Sequence, residues 1–149
     1  REKTVQIVKQ HEKEKEQLMF EMIRTVELKK DKTVEEIQRE IYYLRLVHED
    51  DKLVNIAKLL IEKYPEKKDY LLEISKEFFE QQKIEKSLEI MTIYVDRFPE
   101  DLSAKSNKGM LLEMQGSKKE ALKIYEEILA KDPNQVHTKE LYNKLKQSI

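Results

Sequence analysis

The sequence predicts an all-α chain built from repeated helical hairpins, and three observations predict it. The only three prolines, Pro65, Pro99 and Pro133, follow one another at intervals of 34 residues. Between them apolar residues fall at helical spacing in two blocks, as in Leu71, Leu72, Ile74, Phe78, Phe79 and then Ile84, Leu88, Ile90, Met91, Ile93, Tyr94, parted by the polar break Gln81-Gln82-Lys83. The 149 residues include 2 Gly and 3 Pro while 40% are charged, the profile of a soluble helical protein, because strands and turns need residues that are scarce here. Proline cannot continue a helix and pushes the residue before it out of the α region, so each proline marks a point just past a helix end. One period is then helix, turn, helix and a proline-marked turn. A lone hairpin cannot bury its apolar face, so successive hairpins stack into an α-solenoid.

Residues 1-33 read as a long N-terminal helix that projects beyond the repeats. Val5, Ile7 and Val8 precede the run KQHEKEKEQ, which has no apolar residue and is exposed over about two turns. The dense stretch Leu18 to Leu28 follows, with Met19, Ile23 and Val26 in phase to pack on the next hairpin. That leaves Phe20 and the Leu18–Met22 face without an evident partner in the chain. Exposed apolar faces of this kind mark association, so Val5, Val8, Leu18, Phe20 and Met22 are candidate association residues, for a homodimer or a heterodimer. Thr33 and Glu36 form a capping box that starts a fresh helix. Residues 34-149 make the repeat domain, with hairpins at 34-67, 68-101 and 102-135. Residues 136-149 are a capping helix with Val136, Leu141, Leu145 and Ile149 as its apolar stripe.

These residues resemble the tetratricopeptide repeat (TPR), a 34-residue helical hairpin with small residues at its eighth and twentieth positions and a proline near its end. The third copy matches best, with Gly109 and Ala121 at the small positions, Leu112 and Tyr125 at the large positions that follow, and Pro133 at the close. Lys105 and Lys108 depart from the large aromatic and Leu that the family prefers. The second copy has Ser75 and Ser87 as its small residues, followed by Phe78 and Met91, with Leu71 and Ile74 as the first-helix apolar pair. Small residues let paired helices approach to the short end of the roughly 8 to 10 Å range of interaxial distances. The first copy has Ile41 and Leu53 there but keeps Ile37, Leu44, Ala57, Leu60 and Pro65; it is a degenerate repeat or merely two helices. The resemblance implies a right-handed solenoid of about three hairpins that works as a protein-interaction scaffold.

The near balance of 29 Lys+Arg against 30 Asp+Glu argues against nucleic-acid binding, which calls for a basic stripe. The absence of cysteine excludes disulfides and thiolate chemistry. His11, His48 and His137 stand apart, with none of the spacing a helical zinc site needs. The cluster His48-Glu49-Asp50-Asp51 reads either as a weak divalent-metal site or as a solvated turn with acids near a helix N-terminus. No phosphate loop, nucleophile elbow or isolated carboxylate pair stands out. The expectation is therefore no enzyme, no cofactor and no metal. No run is long enough for a membrane span; an anchor upstream of Arg1 is compatible with the chain, so a cytoplasmic and an envelope-associated location both stay open.

By the resemblance, the first helix of each hairpin lines a concave groove that holds a protein partner as a peptide or helix. The matching positions are Gln38, Arg39, Tyr42 and Arg45, then Leu72, Glu73, Lys76 and Phe79, then Ser106, Asn107, Met110 and Met114. Phe79, Met110 and Met114 are the natural anchors. Phe79 has core as its alternative, since Phe78 beside it cannot share its direction. One subclass of the family clamps a chaperone's terminal carboxylate with Lys, Asn and Arg; the positions here read Gln38, Tyr42, Glu73, Ser103 and Asn107, which disfavours that ligand. A structural assembly subunit held together by the N-terminal helix is the alternative function.

Overall fold

The computed structural model describes residues 1–149, and the chain is all-helical. Eight α-helices follow in order, with a 3-10 turn at Pro65–Lys67: α1 (Glu2–Glu27), α2 (Val34–Leu46), α3 (Asp50–Lys63), α4 (Asp69–Glu80), α5 (Ile84–Arg97), α6 (Leu102–Met114), α7 (Lys118–Lys131) and α8 (Val136–Gln147). No helix is long and apolar enough to cross a membrane. The chain divides into two compact units, Arg1–Ile56 and Ala57–Ile149, with the division inside α3.

The 34-residue interval recurs in the backbone itself. Each residue before a proline leaves the helical region: Tyr64 at φ −132°, ψ 66°, Phe98 at φ −125°, ψ 69° and Asp132 at φ −139°, ψ 91°. Each still donates its N–H to the carbonyl four residues back, Leu60, Tyr94 and Ile128, and each accepts from the N–H three residues on, Lys67, Asp101 and Gln135. The turn inside each hairpin recurs as well. His48 (φ 58°), Gln82 (φ 62°) and Gly116 (φ 86°) are the three left-handed residues of the chain. The N–H of the following residue, Glu49, Lys83 or Ser117, closes on the carbonyl of Leu44, Phe78 or Leu112. That bond satisfies a carbonyl the helix end would otherwise orphan.

In the first unit α2 starts at the capping box the sequence predicts: Thr33 Oγ1 accepts from the Glu36 N–H at 3.2 Å and Glu36 Oε1 accepts from the Thr33 N–H at 3.1 Å. The Thr33 backbone bond and the Lys29 ammonium, 3.0 Å away, hold the Glu36 carboxyl below the usual range. Ile23 of α1 is buried, and Met19 and Val26 are half-buried, so the phase predicted for this helix is the phase observed. Phe20 departs from expectation: it meets Tyr43 of α2 edge-on, ring centroids 6.4 Å apart, and so has a partner within the chain. Lys32, in the polar loop before α2, is buried and donates to Glu40 at 2.9 Å.

In the second unit each helix packs on the next, α4 on α5, α5 on α6, α6 on α7 and α7 on α8. The small residues sit at the closest approaches. Ser75 of α4 and Ser87 of α5 are buried and joined through both hydroxyls and both carbonyls. Gly109 of α6 faces the buried ring of Tyr125 of α7, where an added Cβ would lie 2.5 Å from Cε1. Ala121, Leu112 and Tyr125 form a core with Leu145 of α8. The phenol of Tyr125 donates to Glu113, and that of Tyr94 donates at 2.8 Å to Asp101 Oδ2. The other Asp101 oxygen accepts from the Ala104 N–H at 3.0 Å, so one carboxylate caps α6 and fastens it to α5.

The stripe expected on α8 needs correction. Val136 and Ile149 are exposed, whereas Thr138 is fully buried and Leu141, Tyr142 and Leu145 pack inward. Thr138 Oγ1 donates to Gln135 Oε1 at 3.1 Å, which lets a hydroxyl take the innermost place.

Candidate functional site

The groove residues expected on α4 and α6 come together. Leu72, Lys76 and Phe79 line one wall and Asn107, Met110 and Met114 the other, around a cavity of about 440 Å³. Phe79 is 46% exposed while Phe78 beside it is buried, so of its two readings the groove position is the observed one. The helical period separates them: neighbours on a helix point about 100° apart, and Phe78 takes the face that meets α5. The floor is Ser75, Ser87, Met91 and Leu111. Because each serine hydroxyl lies within bonding distance of the other and of the opposed carbonyl, this floor presents no unmet side-chain polar group to a ligand. The cavity is therefore apolar inside, with the Lys76 ammonium and the Asn107 amide at its rim.

Three of the expected groove positions lie elsewhere. Ser106 is buried, with Thr138 Oγ1 of α8 3.5 Å from its hydroxyl, because α6 is covered on more than one side. Glu73 is exposed and outside this cavity, and Arg45 is half-buried at the end of α2 and lines neither this cavity nor the one between α1 and α2.

Gln38, Arg39 and Tyr42 line a different cavity, of about 720 Å³, formed within the first unit by α2 and by Met19, Met22, Ile23 and Val26 of α1. The twelve residues expected to share one surface are thus divided between two grooves, with Arg45, Glu73 and Ser106 in neither. Of the candidate association residues, Val5, Val8, Leu18 and Met22 are exposed, and Phe20 is 47% exposed despite its contact with Tyr43. No group of three His, Asp or Glu side chains converges as a metal ion would require.

The chain has five methionines, and all of them line these grooves: Met19 and Met22 the one, Met91, Met110 and Met114 the other. Sequence reasoning placed Met19 and Met91 in packing roles only. The signal that would have found them is residue type, since Met is unbranched and polarizable and adapts to varied apolar surfaces. No family model matches the chain, and no curated protein matches it.

Proposed function

We propose that this chain is a protein-interaction module of the tetratricopeptide type, a solenoid of TPR-like hairpins whose α4–α6 groove holds an amphipathic helix or peptide of another protein. The 34-residue recurrence of prolines, left-handed turns and turn hydrogen bonds supports the repeat reading. The observation that carries the function is the groove itself. Phe79, Met110 and Met114 are 46%, 37% and 56% exposed around an apolar hollow, a costly surface to leave in water without a partner. Aromatic and Met side chains concentrate binding energy in such hollows, and a rim amide and ammonium orient a backbone or an acidic side chain.

The test uses peptides selected from a random library on the full chain. The proposal expects peptides with a large apolar anchor that bind the wild type and lose at least about tenfold in affinity to Phe79→Ala/Met110→Ala, a change of about 1.4 kcal/mol. The melting temperature should hold, because both side chains are already half in water. Equal binding by the double variant, or loss of fold with intact binding, refutes it.

A further inference from the structure

The upstream half of α1 carries apolar side chains that nothing in the chain covers, and its pattern names what does. Every residue from Arg1 to Leu18 is exposed. Along α1 the positions Val5, Val8, Glu12, Lys15, Met19, Met22 and Val26 follow one another at alternating spacings of three and four, an unbroken coiled-coil seam with one charged pair in its middle. The downstream part of that seam, Met19, Met22 and Val26, is one wall of the groove that α1 makes with α2. The upstream part, Val5 and Val8, is bare at 49% and 51% exposure.

We propose that the occupant of the α1–α2 groove is the upstream half of α1 from a second copy of this chain, in a two-fold symmetric antiparallel dimer. In antiparallel pairing each first seam position meets a fourth position of the other helix. Centred between Glu12 and Lys15, that register sets Val5 against the second copy's Met22 and Val8 against its Met19. It also sets Glu12 against the second copy's Lys15, and Lys9 beside its Glu16. Symmetry makes every one of these contacts twice. A parallel dimer would instead bring Glu12 onto Glu12 and Lys15 onto Lys15 inside the seam, where like charges repel most strongly. The apolar pattern thus fits a second copy of α1, and the charge pattern selects the antiparallel orientation. The inference rests on α1 and α2 and is independent of the α4–α6 groove.

Sedimentation velocity on the full chain tests it. The wild type is expected to dimerise. Glu12→Lys alone, or Lys15→Glu alone, should weaken the dimer by about tenfold or more, and the two together should restore it. Because these side chains are exposed in the single chain, helicity and melting of the dissociated protein should not change. The chain has no cysteine, so orientation is read by adding a pair. Val5→Cys/Met22→Cys should oxidise to a covalent dimer while either single variant stays uncrosslinked; within one helix these positions are about 25 Å apart and cannot bridge. A monomer at every concentration, a dimer indifferent to both charge reversals, or a disulfide from Met22→Cys alone overturns the proposal.

Discussion

Ser75 and Ser87 hold α4 and α5 together through a ring of close polar contacts, with the hydroxyls 2.9 Å apart, Ser87 Oγ 2.8 Å from the Ser75 carbonyl and Ser75 Oγ 3.2 Å from the Ser87 carbonyl, among which the two hydroxyl protons make two hydrogen bonds at a time. Small residues were expected here for close approach, and the hydroxyls add a second function. Either Ser→Ala change should cost about 0.5 to 1.5 kcal/mol. The two effects should not add, since each removes part of the same ring. Ser87→Val should cost more, about 1 to 3 kcal/mol, by overpacking. A double-mutant cycle read by chemical denaturation measures both.

Gly109 and Ala121 make the corresponding approach of α6 and α7. Gly109→Ala would gain about 1 kcal/mol in helix propensity at an open site. Here the new methyl meets the ring of Tyr125, which is buried and tethered to Glu113, so the variant should be less stable than the wild type. Ala121 is fully buried in the same core, and Ala121→Leu should cost about 1 to 3 kcal/mol. Unchanged melting in both variants would show that this packing is wrongly described.

The left-handed turn residues give a change of opposite sign. A side chain at such a φ costs about 1 kcal/mol relative to glycine. Gln82→Gly should therefore raise stability by about that amount, while Gly116→Ala should lower it, although nothing lies within 4 Å of the added methyl. Thermal melting of the two variants side by side decides whether backbone conformation, rather than contact, governs these turns.

Alkaline pH should loosen the second unit. Burial, then the hydrogen bond to Asp101, pushes the Tyr94 hydroxyl up to about 12, and burial with the Glu113 bond pushes Tyr125 up as well. A raised folded-state value means stability that is whole below the ordinary tyrosine value near 10 and is lost as pH climbs from there through about 12. Melting temperature should fall across that window in the wild type, and less in Tyr94→Phe. An identical decline in both would assign the loss to other groups.

Much of this molecule was legible in the sequence because its signals are steric. Proline cannot extend a helix, so Pro65, Pro99 and Pro133 marked helix ends; Gly109 and Ala121 marked crossings because only small residues fit there. The groove faces of α4 and α6 were read from the resemblance to the tetratricopeptide repeat, position by position, and Leu72, Lys76, Phe79, Asn107, Met110 and Met114 do line one cavity. What escaped was decided by context. Lys32 sits in a polar run, and nothing local says that it turns inward to Glu40. His48 and Gln82 adopt a glycine conformation that only Gly116 advertises. Val136 was read into the α8 stripe, yet it lies nine residues from Leu145, on the opposite face of the helix, whereas Thr138 lies seven residues away on the same face and is buried with its hydroxyl bonded; Ile149 falls beyond the helix end at Gln147.

The five methionines permit the most direct test of the proposal that the α4–α6 groove binds the partner. Methyl-labelled methionine gives one NMR signal per residue, assignable by single Met→Leu changes, and each signal reports its own groove. On addition of a selected peptide to the full chain, Met91, Met110 and Met114 should shift together and saturably while Met19 and Met22 stay still. Shifts confined to Met19 and Met22, or no shift at peptide concentrations that saturate binding, would contradict the account.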